Sequence, residues 1–139
     1  MGENEIVITY ESLYELLRRE RYRPELQKLD PLFYQNVLNY FKEKQAILES
    51  QEKKESIFAA NEIDKTRTQI RNIRKILKDI YEKREAKIIQ LALFNSRNKA
   101  GTGSDSALLA EEKALFDSIN GVLNGFREGV LFNLLSNNA

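Results

Sequence analysis

Apolar residues recur along one long stretch of the chain with the spacing of an α-helix. They stand three, four or seven positions apart, with one gap of eight: Ile63, Ile70, Ile73, Leu77, Ile80, Ile88 and Leu91. This spacing places them along one side of a helix, and no glycine or proline interrupts it. The pattern predicts one helix over Ile63–Arg97, on the order of 50 Å long at about 1.5 Å per residue. A helix of this length is too long for one short helix to cover, so the other helices are expected to lie along it.

Two shorter helical patterns precede this stretch. Thr9 is a candidate N-cap for a helix over Tyr10–Arg19, which Arg23-Pro24 would end. The inner face of that helix is predicted to carry Leu13, Leu16 and Leu17. A second helix is predicted to begin at Asp30-Pro31, since Asp suits the N-cap and Pro the first helical position, and to reach about Lys53. It would turn inward Phe33, Val37, Leu38, Tyr40, Phe41, Ile47 and Leu48. The polar residues 50–56 predict a tight bend before the long helix.

The pattern after the long helix begins with a loop and continues as a last helix. Glycines and polar residues over 98–105 predict the loop, with Asp105 or Ser104 as the helix cap. The apolar positions run through Leu108, Leu115, Phe116, Ile119, Leu123 and Phe126 to Val130, Leu131 and Leu134. Gly121, Gly125 and Gly129 would share one face and let a neighbouring backbone approach, at about 1 kcal/mol each relative to Ala. The alternatives are turns at Asn120-Gly121 and Asn124-Gly125, since Asn-Gly favours hairpins, or a helix that frays or breaks at Gly121.

Residues 130–135 are apolar on nearly every side of the predicted helix. An amphipathic helix on the surface of a monomer needs only one apolar face. The segment is therefore expected either to be buried centrally or to meet another chain.

Charge is nearly balanced over the whole chain but unevenly distributed. There are 22 basic and 21 acidic residues, yet residues 65–99 contain eleven basic residues against Asp79, Glu82 and Glu85. Opposite charges can meet within the fold, between subunits or at a nucleic acid. The acidic amino terminus does not resemble a signal peptide, and no apolar run approaches the length of a membrane span. These features predict a soluble intracellular protein.

Enzyme chemistry has little support in the sequence. The absence of His removes the commonest general base and the commonest transition-metal ligand, and zinc would need Cys or His. The Gly101–Ser104 stretch lacks the preceding strand and the following Gly-Lys-Ser/Thr of a phosphate loop. Glu111 and Glu112 are explained by the dipole at a helix start. We therefore expect no catalysis, no cofactor and no metal.

Four basic residues form a narrow row on the long helix. At about 100° per residue, Arg67, Arg71, Arg74 and Lys78 fall within one arc. They could contact nucleic-acid phosphates, or they could form a solvated flank that pairs with acidic neighbouring helices. The second interpretation is favoured, because no aromatic residue for base stacking is interleaved between residues 65 and 80.

Several stretches resemble archaeal GINS subunits over nearly the whole chain. Residues Tyr10–Glu20 and Leu26–Tyr34 resemble the opening of these proteins. The long helix is similar over Arg71–Leu77 and Tyr81–Ala92. The last helix is similar at Glu112–Phe116 and Phe126–Leu131.

The resemblance implies the helical A domain of a GINS subunit, part of a tetrameric scaffold at DNA replication forks. The implied partners are other GINS subunits in a homo- or hetero-tetramer, the MCM helicase and a RecJ-family protein. The implied location is cytoplasmic and nucleoid-associated in archaea, or nuclear in a eukaryote. Subunits that begin with the A domain continue into a small β-rich B domain. Because no strand-and-turn region follows the last helix, the B domain is expected to be absent or truncated.

We therefore expect an all-α fold, an elongated bundle of four main helices around one long central helix, as a single domain over residues 1–139. Its function is expected to be non-catalytic assembly. The residues predicted at the subunit interface are Phe116, Ile119, Leu123, Phe126, Val130, Leu131, Leu134 and Leu135. One alternative is a nucleic-acid-binding module that uses the basic row. Another is a stand-alone bundle whose last helix completes its own core.

Overall fold

The computed structural model describes residues 7–54, 56–98 and 107–136. Within these ranges the secondary structure is helical and contains no strand, which confirms the predicted all-α class. The four main helices are α1 (Tyr10–Tyr22), α2 (Phe33–Glu52), α3 (Ile57–Asn98) and α4 (Ala110–Phe126). Helix α4 runs directly into a π-helical turn (Arg127–Leu131) and a short helix α5 (Phe132–Ser136).

Helix α1 begins at its predicted cap. The N–H of Ser12 donates to Thr9 Oγ1 at 3.0 Å, and the N–H of Thr9 donates to Ser12 Oγ at 2.8 Å. This reciprocal pair satisfies donors that the helix itself leaves unbonded. The three predicted inner residues, Leu13, Leu16 and Leu17, are buried. The helix continues past the predicted Arg19 and ends at Tyr22, just before Arg23-Pro24.

The start of α2 differs from the prediction. The side chain of Asp30 accepts the N–H of Leu32 at 2.8 Å, and its carbonyl accepts the N–H of Phe33 at 2.9 Å. An Asp side chain that bonds two residues ahead favours a turn, so Pro31 lies in that turn and the helix begins at Phe33. The expectation that Pro31 is the first helical residue is therefore wrong.

Only part of the predicted inner face of α2 is buried. Phe33 and Val37 are buried, whereas Leu38 is 56% exposed and Ile47 is 45% exposed. Adjacent residues on a helix point about 100° apart, so a helix that buries Val37 turns Leu38 away. The inward assignment of Leu38 and Ile47 is wrong.

Helix α3 is longer than predicted, with 42 residues. It starts at Ile57, where Ser56 Oγ accepts the N–H of Ala59 at 3.1 Å as an N-terminal cap. Two side-chain contacts join its first part to the end of α2. Thr66 Oγ1 donates to Gln51 Oε1 at 2.8 Å, and Arg67 Nη2 lies 2.8 Å from Glu52 Oε2.

The chain divides into two compact units by its internal packing. The first unit comprises Met1–Tyr22 and Asp30–Glu82, and the second comprises Arg23–Leu29 and Lys83–Ala139. Helix α3 contributes its amino-terminal part to the first unit and its carboxyl-terminal part to the second. The core of the first unit includes Leu13, Leu16, Leu17, Phe33, Val37, Ala59, Ile70, Ile73, Ile76 and Ile80. The expectation of one domain over residues 1–139 stays a prediction.

The last helix starts later than predicted and continues through its glycines. The proposed caps Ser104 and Asp105 lie outside the described residues, and α4 begins at Ala110 with Leu109 at the N-cap. The predicted helical position Leu108 therefore precedes the helix. Gly121 and Gly125 lie within α4 and Gly129 within the π-helical turn, so the alternatives of turns at the Asn-Gly pairs and of a break at Gly121 are wrong.

Candidate subunit interface

A buried ion pair positions the start of α4 in the second unit. The guanidinium of Arg84 on α3 bonds both carboxylate oxygens of Glu112, at 2.6 Å from Nε and 2.7 Å from Nη2. The Arg84 side chain is 1% exposed and that of Glu112 is 6% exposed. Two parallel charge-assisted bonds fix direction as well as distance. Removal of either partner would leave a charge buried without its counter-ion.

The same two residues satisfy three backbone groups. Arg84 donates to the carbonyl of Gln27 at 2.9 Å and to that of Ala107 at 3.1 Å. Glu112, at the third position of α4, accepts the N–H of Leu109 at 2.9 Å, which is the carboxylate half of a capping box. One arginine thereby connects α3, the segment Arg23–Leu29 and the start of α4.

The sequence pattern did not predict this pair: Arg84 was one of the eleven basic residues of 65–99, and Glu112 was assigned to the helix dipole. A signal was present in the apolar spacing. The single gap of eight in the pattern, between Ile80 and Ile88, contains Arg84 midway. Residues four apart on a helix share a face, so Arg84 lies on the buried side of α3.

A second polar contact joins α3 to the end of α4. Ser96 is 2% exposed, and its hydroxyl donates to Asn124 Oδ1 at 2.8 Å. The hydroxyl oxygen of Ser96 also accepts a hydrogen bond from Arg127 Nε at 2.9 Å. The first residue of the π-helical turn is thus bonded to α3. A π-turn inserts an extra residue into a helix and is frequent at functional sites.

The apolar core of the second unit uses the inner side of α4. It contains Leu26, Ile88, Ala92 and Phe116, with Leu91, Ala107, Leu108, Leu115 and Ile119 packed against it. Phe116 is only 8% exposed and Ile119 is half-buried. These two predicted interface residues therefore complete the core of their own chain. Leu123 is also half-buried.

The other predicted interface residues are exposed, together with two that the prediction omitted. We call the seven residues the C-terminal apolar surface: Val122, Phe126, Val130, Leu131, Phe132, Leu134 and Leu135, each between 41% and 77% exposed. Every residue from Glu128 to Ser136 is exposed. An apolar groove crosses this region, lined by Leu123, Phe126, Arg127, Val130 and Leu131. Of the two alternatives for residues 130–135, central burial in their own chain is therefore wrong.

The glycines of α4 and the π-helical turn adjoin this surface and are uncovered. A Cβ atom at Gly121, Gly125 or Gly129 would meet nothing within 4 Å. No neighbouring backbone from the described part of the chain therefore uses the close approach that these glycines permit.

A second apolar groove lies beside α3 in the same unit. It is lined by Pro24, Glu25, Leu26, Ala86, Lys87, Gln90, Leu91 and Phe94. Lys87 Nζ donates to the carbonyl of Glu25 at 3.0 Å, which ties the connecting segment to α3 at the groove. Phe94 is 52% exposed there.

The basic row lies on the exposed side of α3 in the first unit. Arg67, Arg71, Arg74 and Lys78 are all exposed. Arg67 pairs with Glu52 of α2 at 2.8 Å, as the solvated-flank interpretation expects. Among the described residues, Arg71, Arg74 and Lys78 form no ion pair.

Within the described ranges, no three His, Cys, Asp or Glu side chains gather as a metal site. Of the described helices, none has both the length and the apolar character that crossing a membrane requires. Comparisons of the chain with protein-family models, with curated proteins and with solved structures give no match. The resemblance to GINS subunits therefore stays a prediction.

Proposed function

We propose that this chain is a non-catalytic assembly subunit that binds another protein chain through its C-terminal apolar surface. The observation that carries the proposal is the exposure of seven large apolar side chains within residues 122–135, each between 41% and 77%. Monomeric proteins rarely expose apolar patches larger than about 300–600 Å², and larger ones mark interaction sites. Six of the seven lie within the ten residues 126–135, so the exposed apolar side chains are concentrated in one segment.

The assembly we propose is a GINS-type complex at the replication fork. The all-helical fold and the 42-residue helix α3 support this assignment, together with the sequence resemblance. In this proposal the chain forms an elongated A-domain-like bundle around α3. Its partners are other GINS subunits, the MCM helicase and a RecJ-family protein, at the nucleoid of an archaeal cell or in a eukaryotic nucleus.

Coexpression tests the proposal directly. The chain is produced with a second GINS-type subunit from the same source, and the purified complex is measured by size-exclusion chromatography with light scattering. We expect a stable complex that the double variant F126E/L134E abolishes, because two buried carboxylates would lack partners at the interface.

The control variant is K113E, which changes the net charge by the same amount on an exposed residue of α4 outside the surface. It should leave the complex intact. A wild-type chain that folds but joins no second subunit would contradict the proposal, as would a complex that F126E/L134E and K113E affect equally.

A second candidate function is nucleic-acid binding by the basic row. It is favoured by the exposure of Arg71, Arg74 and Lys78 without ion pairs among the described residues. Each phosphate contact contributes about 0.7–0.9 to the slope of log affinity against log salt. If the row binds DNA, the variant R71E/R74E removes two such contacts and should reduce that slope by about 1.4–1.8.

The matched control is K53E/K54E, which reverses two exposed lysines after α2. An affinity that both double variants weaken equally, or a wild-type chain without measurable binding at low salt, would reject this second function.

A further inference from the structure

One charged side chain lies in the apolar groove of the C-terminal apolar surface. The groove is lined by Leu123, Phe126, Arg127, Val130 and Leu131, and Arg127 is half-buried there. All five lining residues belong to α4 and the π-helical turn, so no other helix of the described chain forms a wall of the groove. Pockets for small molecules enclose most of the ligand, whereas an open apolar groove suits a helix of a partner protein.

The guanidinium of Arg127 is oriented by one hydrogen bond and keeps its other donors unused. Its Nε donates to the buried hydroxyl of Ser96 at 2.9 Å. Among the described residues, this side chain forms no other hydrogen bond and no ion pair. An arginine has five N–H donors, so the four on Nη1 and Nη2 remain. They form a planar fork that matches the two oxygens of a carboxylate.

No acidic residue of the described chain supplies that carboxylate. Glu128 is the next residue, but it does not line the groove, and it forms no ion pair within the described ranges. Neighbouring positions of a helix do not face each other. A partner that covered the groove with apolar side chains alone would bury the guanidinium without a counter-ion, which is strongly unfavourable.

We infer that the occupant of the groove is a helix of another protein that carries one Asp or Glu within an otherwise apolar face. The carboxylate accepts hydrogen bonds from Nη1 and Nη2 of Arg127, and the apolar residues around it pack against Phe126 and Val130. Arginine is enriched among the few residues that dominate binding energy, where surrounding contacts exclude water. Ser96 is a positioning residue for this contact. The inference rests on the proposed function and defines the chemistry of the partner at the same site.

The first test measures the affinity of R127M for the coexpressed GINS-type subunit. Methionine keeps an apolar side chain in the groove but removes the charge and the donors. An interface of apolar contacts alone would bind R127M as tightly as the wild type, or more tightly. We expect instead a dissociation constant at least tenfold larger, because the carboxylate of the partner loses its counter-ion. R127K keeps the charge but not the fork, so its affinity should lie between the two.

Two further variants separate this contact from other effects. R97M removes an exposed arginine of α3 that does not line the groove, and it should leave the affinity unchanged. S96A removes the bond inside the chain but keeps the guanidinium. It should therefore weaken binding less than R127M does. A loss as large in S96A as in R127M would assign the effect to the local fold and overturn the inference, as would an unchanged affinity in R127M.

Two synthetic helical peptides test the carboxylate without a natural partner. Both carry leucines along one face, and they differ only in a Glu or a Gln at the centre of that face. In calorimetric titrations the full chain should bind the Glu peptide at least tenfold more tightly than the Gln peptide, and R127M should lose this preference. Equal affinities, a preference that R127M retains, or no binding of either peptide would overturn the inference.

The inference and the proposed function can fail separately. If F126E/L134E abolishes the complex with the coexpressed subunit while R127M binds as the wild type does, the surface is an interface and only the carboxylate is rejected. If no complex forms but the wild type prefers the Glu peptide, the GINS-type partner is rejected and the chemistry of the groove remains. If the wild type binds neither the subunit nor a peptide, both fail.

Discussion

Arg84 bonds the start of α4 through Glu112 and the residue Ala107 that precedes it. Its replacement by Met would leave the buried carboxylate of Glu112 without its counter-ion and two carbonyl groups without their donor. Removal of one partner from a buried ion pair typically costs about 3–5 kcal/mol. We expect R84M to lower the free energy of unfolding in urea by this amount. R97M, at an exposed arginine of the same helix, should change it by less than about 0.5 kcal/mol.

The double variant R84M/E112Q distinguishes the interaction energy between Arg84 and Glu112 from the separate contributions of the two residues to stability. With both charges removed, neither position of the pair holds a buried ion, and the neutral amide oxygen can still accept the N–H of Leu109. The double variant should therefore be more stable than the sum of the two single losses predicts, by about 0.5–3 kcal/mol. Additive losses would show that the two charges do not stabilise one another.

Glu15 provides a pH-dependent contact on the exposed side of α1. Hydrogen bonds from Arg18, at 3.1 Å and 2.9 Å, lower the pKa of its carboxyl group below the ordinary value of 4.5. A pKa lowered by folding stabilises the protein above the unfolded pKa, and this contribution disappears as pH falls through the folded value. In an NMR titration, R18Q should return the pKa of Glu15 towards 4.5.

The matched variant for this titration is R19Q. Arg19 Nε lies 3.4 Å from the Glu15 carboxylate, and its effect on the pKa of Glu15 ranks below that of Arg18. R19Q should therefore raise that pKa less than R18Q does. An equal rise in both variants would assign the shift to general positive charge rather than to the Arg18 hydrogen bonds.

At the scale of secondary-structure elements, Ser96 connects α3 to the junction between α4 and the π-helical turn. S96A removes the acceptor of Arg127 Nε and the donor to Asn124 Oδ1 at a site that is 2% exposed. An unsatisfied buried polar group costs about 1–3 kcal/mol. Amide hydrogen exchange should therefore accelerate over residues 123–131 in S96A. It should remain unchanged in S118A, at an exposed serine of α4, and equal exchange in both variants would contradict the role of Ser96.

Elements whose apolar spacing is regular could be predicted from the sequence. Helices α1 and α3 and the passage of α4 through Gly121 and Gly125 follow from local periodicity and propensity. The first residue of a helix could not be predicted where it depends on a contact with a distant part of the chain. The start of α4 at Ala110 is set by Glu112, whose carboxylate is bonded to Arg84 on another helix. The pattern of α4 alone contains no information about that bond.

The candidate interface could be predicted only in part, for a related reason. Periodicity identifies which residues of α4 are apolar, but not which side α3 covers. Phe116 and Phe126 belong to the same apolar pattern, yet Phe116 is 8% exposed and Phe126 is 66% exposed. The π-helical turn was also unpredicted, because it depends on the bonding of one extra backbone residue and has no composition of its own.

At the scale of the whole molecule, one uninterrupted helix runs through two compact units, so their local stabilities can be compared within one chain. Each unit has its own buried residues. Proteins unfold locally in contiguous cooperative units, so each unit can lose its structure separately. We expect R84M to accelerate amide exchange over residues 110–126 while residues 10–22 keep their protection.

The corresponding variant of the first unit is I73A, at a residue that is 0% exposed. It should accelerate exchange in α1 and spare α4, because the cavity that it creates lies within the first unit. Equal acceleration throughout both variants would mean that α3 transmits every local loss along its length and that the chain unfolds as a single cooperative body.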